Sequence, residues 1–204
     1  ARYLHDAGVT DVTKTKSNGI LLTPALIERL AESRLTYLCF SIIASNDEDY
    51  KRIAQRNVSY DKLVENIGRM YAVRGETKIY VKMARVSTFT QYDIDKFYGD
   101  FEDKSDLISI EELHSWSDDG IERDWSLGEF KAKGAPIVCP WPLYQLTINW
   151  NGAVRTCCVD WSWKTTIGDA ANNSVKSVWD GMQLYEFQKM HLEGRRAENA
   201  ACKS

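Results

Sequence analysis

Four of the chain's five cysteines fall in its final third, and their spacing restricts what that end can fold around. The order is Cys139, twelve residues, Gly152, four residues, Cys157, with Cys158 adjacent and Cys202 much later. Residues 146–150 read as a strand, Asn151-Gly152 as a two-residue hairpin turn, and residues 153–157 as the return strand. Such a hairpin carries Cys157 back toward Cys139. Neighbouring strand residues face opposite sides, so Cys157 fits the frame and Cys158 is spare. Thiolates bind soft centres, above all zinc and iron–sulfur clusters. From spacing alone the readings are a cluster, a structural zinc, a disulfide, or cysteines that are simply buried.

Composition removes several classes of function. The chain has 204 residues, 44% apolar and 27% charged, as a soluble globular protein does. Its net charge of −3 and lack of a basic run argue against a nucleic-acid partner. The longest apolar run, residues 35–44, contains Thr36 and Ser41 and is too short for a bilayer. With no signal peptide in view and an odd number of cysteines, a reducing cytoplasm is expected. The acidic stretch 93–124 reads as a solvated face. Seven Trp and ten Tyr are many for this length and suggest a well-packed or substrate-lined interior.

Upstream, strands and helices alternate. Residues 1–7 read as a helix end stopped by Gly8. A Val- and Thr-rich alternation predicts a strand over 9–16, closed by Ser17-Asn18-Gly19. Thr23 is placed as an N-cap with Pro24 at the first helical position. Residues 36–43 are almost all apolar, as in a parallel strand covered on both faces. Helices are predicted over 47–56 and 60–74, with Leu63, Ile67 and Met70 on one face. A strand over 77–86, a weak helix over 92–98 and a strand over 106–113 follow. This order predicts an α/β fold with a parallel sheet. Ligands then meet the strands' carboxyl ends.

The cysteine frame, with Asp160, Ile167-Gly168, Ser174-Val175, Val178-Trp179 and Cys202-Lys203-Ser204, resembles the SPASM/twitch extension of radical S-adenosylmethionine (SAM) enzymes. The earlier half is similar to the later part of that family's barrel. Ser17-Asn18-Gly19 resembles its turn after the third strand, and Leu38-x-Phe40-Ser41-Ile42 its fourth strand. The resemblance implies the second half of a partial (β/α)6 TIM-type barrel over 1–116, a linker over 117–138, and a hairpin-plus-helix SPASM/twitch domain over 139–204. It implies Cys139, Cys157 and Cys202 as ligands of an auxiliary [4Fe–4S] cluster, with a further ligand expected just beyond Ser204. The family's Cys-x3-Cys-x2-Cys motif for its catalytic cluster does not occur here. The chain is therefore expected to be inactive alone and to be the carboxyl-terminal portion of an oxidoreductase. The whole enzyme would use a 5′-deoxyadenosyl radical made from SAM to abstract a substrate hydrogen, with a flavodoxin or ferredoxin as reductant. A small molecule such as a sugar, cyclitol or polysaccharide-pathway substrate is expected, with peptide maturation as the alternative. A non-catalytic α/β module with a zinc hairpin is the rival from another class.

Individual candidates follow from position. Asn18, Ser41, Lys82 and Arg85 are assigned to cofactor binding at the strand ends. Their duller roles are a turn residue, a satisfied hydroxyl, and sheet-edge surface cations. His114 and Trp116, after the fourth strand, are assigned to substrate. Asp160 is a candidate proton acceptor, with turn-capping or second-shell support as its alternative. Ser174 reads as an N-cap, with Val175, Val178, Trp179 and Met182 as core beneath it. His191, at helical spacing from Leu184 and Phe187, reads as structural.

Overall fold

The computed structural model describes residues 1–86, 88–112 and 137–203. They fall into two compact units, one ending at residue 112 and one beginning at residue 137. His114 and Trp116 lie outside the described residues, as do most of the 117–138 linker and Ser204.

The first unit opens with a short helix, α1 (Arg2–Asp6), stopped by Gly8 at φ 63°. It then alternates β1 (Lys14–Ser17), α2 (Pro24–Ala31), β2 (Tyr37–Ile42), α3 (Asp47–Ala54), α4 (Tyr60–Val73), β3 (Lys78–Arg85), α5 (Gln91–Phe101) and β4 (Leu107–Glu112). The four strands are parallel and lie in the order β1-β2-β3-β4. The α/β fold with a parallel sheet is thus as expected.

Local signals set most of these elements. Thr23 Oγ1 accepts the Leu26 N–H at 3.3 Å and Pro24 opens α2, a cap contributing ~1 kcal/mol. Helix α5 starts on a capping box in which Asp93 accepts from both the Thr90 N–H and hydroxyl at 2.8 Å. It runs three residues past the predicted end, because Phe97 and Phe101 are fully buried one turn apart. Strand β1 begins five residues later than predicted. Val9 and Val12, which suggested it, are exposed, while Lys14–Ser17 have β2 to pair with.

One face of the sheet carries the core. Leu38, Phe40 and Ile42 of β2 and Ile79, Val81 and Met83 of β3 pack with Ile27 of α2, Leu63, Ile67 and Met70 of α4, and Phe97 and Phe101 of α5. Each large side chain buried there stabilises by ~1.5–3 kcal/mol. The expectation that β2 is covered on both faces holds in part: on the face away from the helices Cys39 is fully buried, while Tyr37 and Ser41 are half-buried and share that face with Tyr80 and Lys82 of β3 and Ser109 and Glu111 of β4. The acidic stretch from Asp93 is likewise no uniform solvated face. Asp93 is buried and bonded to Ser45 at 2.6 Å, and Asp106 receives the Arg74 fork at 3.1 Å on both arms.

The second unit holds an antiparallel sheet in the order β5-β6-β7, from β5 (Thr147–Ile148), β6 (Ala153–Arg155) and β7 (Thr166–Asp169). Helices α6 (Val175–Trp179) and α7 (Met182–Leu192) follow. Its core is Val154, Ile167, Val178 and Leu184. Ser174 caps α6 as expected, accepting the Ser177 N–H at 3.0 Å. Of the four residues expected beneath it only Val178 is buried; Val175, Trp179 and Met182 are exposed, because a five-residue helix turns only one side to the sheet. Among the described residues no helix is long and apolar enough to cross a membrane.

Candidate metal centre

The hairpin at the heart of the cysteine frame forms, with one change. Ile148 pairs with Val154, the Asn149 N–H reaches Ala153 O at 2.9 Å, and the Gly152 N–H reaches Asn149 O at 3.0 Å. The loop is therefore three residues, 150–152, rather than the two predicted. Gly152 at φ 90° takes the left-handed position that such loops need. A Cβ there would lie 2.7 Å from Asp169 Oδ1 and 3.0 Å from the Ala171 nitrogen. Gly152→Ala is accordingly expected to destabilise this unit by ~1–3 kcal/mol, read as a lower denaturation midpoint with unchanged slope.

Strand β6 ends at Arg155, so Cys157 and Cys158 sit beyond the strand, which corrects the reason given for separating them. The two still differ in their surroundings: Cys157 is half-buried and Cys158 exposed. The backbone N–H groups of Val159 and Asp160 hydrogen-bond to the Cys157 sulfur. Burial raises the Cys157 pKa and these donors oppose it. Cys202 sits in a short 3-10 turn, Ala200–Cys202. Its thiol is pushed up to about 11, first by burial and then by the Cys157 thiol, with Arg196 opposing and Cys139 and Asp160 adding. Cys202 thus feels the charge of both Cys157 and Cys139. Among the described residues, no three His, Cys, Asp or Glu side chains draw together as a single metal ion would require.

The loop after Cys157 is closed by residues not singled out from the sequence. The Arg155 guanidinium, buried at the end of β6, donates to Asp160 O and, at 2.8 Å, to Asn149 Oδ1. It also lies 5.5 Å from the Trp163 ring. The Asp160 carboxylate is buried, and its Oδ2 accepts the Thr165 N–H at 2.7 Å and the Thr165 hydroxyl at 2.9 Å. A carboxylate used this way fastens the loop. An Arg inside an otherwise apolar strand was the available signal, and it was passed over.

The remaining candidates divide. Ser41 and Lys82 are register partners on the sheet face away from the helices. Lys82 pairs with Glu111 across that face, and the Tyr80 hydroxyl reaches Glu111 Oε1 at 3.0 Å. Strand β3 is internal to the four, so the sheet-edge alternative for Lys82 and Arg85 is corrected. Arg85 stands three positions after Lys82, at the end of the same strand. Asn18 is exposed and its Oδ1 accepts the Ile20 N–H at 3.1 Å, a turn bond. His191 is buried and its pKa lowered by burial, with Arg196 adding to it.

The donor set suits an iron–sulfur cluster: soft thiols approach one another from three segments, and one receives backbone N–H bonds. The sequence profile of the SPASM family, an iron–sulfur cluster-binding domain, matches residues 139–204. No curated protein matches the chain. Among solved structures, SuiB from Streptococcus suis has a TM-score of 0.63 at 14% identity, covering 87% of this chain and 51% of its own. SuiB bound to the precursor peptide SuiA gives 0.57 at 13%, with 85% and 48% covered. The structure of anSMEcpe with bound AdoMet and the Kp18Cys peptide gives 0.61 at 14%, with 88% and 60% covered. This chain therefore spans only about half to three fifths of those proteins. Residues 139–204 match the SPASM iron–sulfur cluster-binding domain, on a chain whose fold is similar to those of SuiB and anSMEcpe.

Proposed function

We propose that the chain is part of a radical SAM oxidoreductase and that Cys139, Cys157 and Cys202 hold its auxiliary [4Fe–4S] cluster. The observation that carries this is the match of residues 139–204 to an iron–sulfur cluster-binding domain, within which the Cys202 thiol senses those of Cys157 and Cys139. The cluster and SAM, when bound in the complete enzyme, would supply the electron and the carbon radical that remove a substrate hydrogen.

This chain's own residues would prepare the site. Val159 and Asp160 N–H groups bond the Cys157 sulfur, and Asp160 with Thr165 fixes the loop that aims it. We assign Asp160 to that support in preference to proton transfer. Ser41 and Lys82, on the sheet face opposite the packed helices of the described residues, are proposed for contact with SAM or substrate, as are Asn18 and Arg85 at the strand ends; His114 and Trp116 are proposed for substrate from the sequence alone. The strands run in sequence order with the helices packed on one face, as in a segment of a (β/α) barrel. A doubly wound sheet reverses its order and covers both faces. This supports the second half of a partial (β/α)6 barrel over 1–116.

Two substrate classes stay in play. The anSMEcpe and SuiB structures with peptides bound support a peptide, while a sugar, cyclitol or polysaccharide-pathway molecule rests on the sequence resemblance. A flavodoxin or ferredoxin would supply electrons. The five free thiols suit a reducing cytoplasm. Anaerobic purification with iron, sulfide and zinc analysis is the test. Brown protein with near-equal iron and sulfide is expected; colourless protein holding one zinc would support the non-catalytic module instead.

A further inference from the structure

We infer that Asn199 is a positioning residue that ties the loop following Cys157 to the turn carrying Cys202, so that the two thiols keep the separation a cluster needs. The inference rests on the cluster reading above. Asn199 uses both ends of its amide. Its Oδ1 accepts the Ala201 N–H at 2.9 Å, capping the Cys202 turn, and its Nδ2 donates to Lys164 O at 3.0 Å across 35 residues of sequence. Its backbone joins in, since Asn199 O accepts the Cys202 N–H at 2.9 Å. Arg196 Nε holds the other side of that residue, donating to Cys202 O at 2.8 Å.

The loop on the far side needs holding. Trp163 has φ 61°, a left-handed conformation that a bulky residue takes only when its surroundings impose it. The impositions are visible. The Trp163 N–H reaches Asp160 O at 3.4 Å, the Thr166 hydroxyl donates to Trp163 O at 2.8 Å, and Thr165 is bound to Asp160. Lys164, between them, has its carbonyl bound by Asn199. Every other bond in that set lies within the loop or its flanking strands; the Asn199 bond alone among them reaches the Cys202 segment. Losing it would loosen the link between the two cysteine segments.

The test uses two variants of the protein purified anaerobically with its cluster. Asn199→Ser keeps a capping oxygen for the Ala201 N–H but loses the donor to Lys164 O; Asn199→Ala loses both. Asn199→Ser is expected to surrender iron to a chelator roughly five- to tenfold faster than the parent, about one hydrogen bond's worth, and Asn199→Ala faster still. Both should also alter the electron paramagnetic resonance spectrum of the reduced centre, which a loss of fold stability alone would not change. Asn199→Gln, retaining an amide, should recover part of the loss. Parent-like iron release and spectrum in the Ser and Ala variants would overturn the inference while leaving the cluster in place. Absence of iron and sulfide from the parent protein would overturn the cluster reading itself, and the inference with it.

Discussion

Cys157→Ser will leave the protein unable to keep its iron–sulfur cluster. Visible absorption and acid-labile sulfide should fall to background under conditions where the parent is brown. The argument is one of chemistry and place. A serine hydroxyl is a hard, weakly acidic donor where the centre takes soft thiolate. The N–H groups of Val159 and Asp160 that bond the sulfur would meet an oxygen drawn closer to its own Cβ. Groups that merely support metal ligands cost ~10–100-fold in affinity when lost, so losing a ligand should cost at least that much. Cys139→Ser and Cys202→Ser should behave alike, since Cys202 senses both other thiols and all three fall within the matched domain. Cys158→Ser and Cys39→Ser are the controls. Cys158 is exposed, and Cys39 is buried in the parallel sheet of the other unit. A colourless Cys158→Ser protein beside a brown Cys157→Ser protein would reverse the assignment.

Spacing alone proposes Cys157 over Cys158, but strand alternation is not what sets the two apart in the fold. Alternation along a strand separates Cys157 from Cys158 on paper. In the structure β6 has already ended at Arg155, and the two differ because one sulfur is tucked under backbone donors and its neighbour turns outward. The hairpin was legible from Asn151-Gly152, but its loop length was not. Whether Gly152 is the second residue of a two-residue turn or the left-handed third of a longer one depends on strand register, and local sequence carries both. Strand β7 was missed entirely. Thr166–Asp169 holds a single buried apolar residue, Ile167, and becomes a strand because β6 lies alongside it.

In the first unit, patterns that state a physical requirement were read correctly. Thr23-Pro24 requires a helix start, and the apolar spacing of Leu63, Ile67 and Met70 requires one buried face. What failed were readings that need partners. Of the predicted strand over 9–16, residues 9–13 lie outside the ladder, whereas Lys14–Ser17 pair with β2 along their whole length. The acidic composition around residues 93–106 hid three different jobs: Asp93 caps, Asp100 accepts the Tyr60 hydroxyl at 2.8 Å, and Asp106 joins elements. Charge counts average over these; burial separates them.

Asp106 carries the other large expected effect, this time on stability. It sits where the chain enters β4, with its side chain only 15% exposed. Its Oδ2 accepts the Ile79 N–H at 2.7 Å, and its backbone N–H returns to Ile79 O at 2.8 Å, so one residue completes the β3–β4 ladder on two sides. The same carboxylate takes the Arg74 fork, and Arg74 lies 3.6 Å from the Tyr71 ring at the end of α4. Asp106→Ala therefore removes an ion pair and strands a buried N–H together, at ~2–4 kcal/mol. Asp106→Asn keeps an acceptor for Ile79 and should lose about half as much. Burial pushes the Asp106 pKa up, but the Ile79 N–H, the Arg74 hydrogen bond and charge, and the Lys78 charge outweigh it, and the net shift is downward. A carboxyl held low contributes its full stability above the unfolded-state pKa, near 4, and loses it as pH falls through the folded value. The gap between parent and Asp106→Asn should therefore be widest near neutral pH and close in strong acid. Chemical denaturation midpoints measured for both proteins from pH 7 downward check this. A gap that stays constant into strong acid would mean the asparagine acts through packing, and the charge of Asp106 contributes nothing.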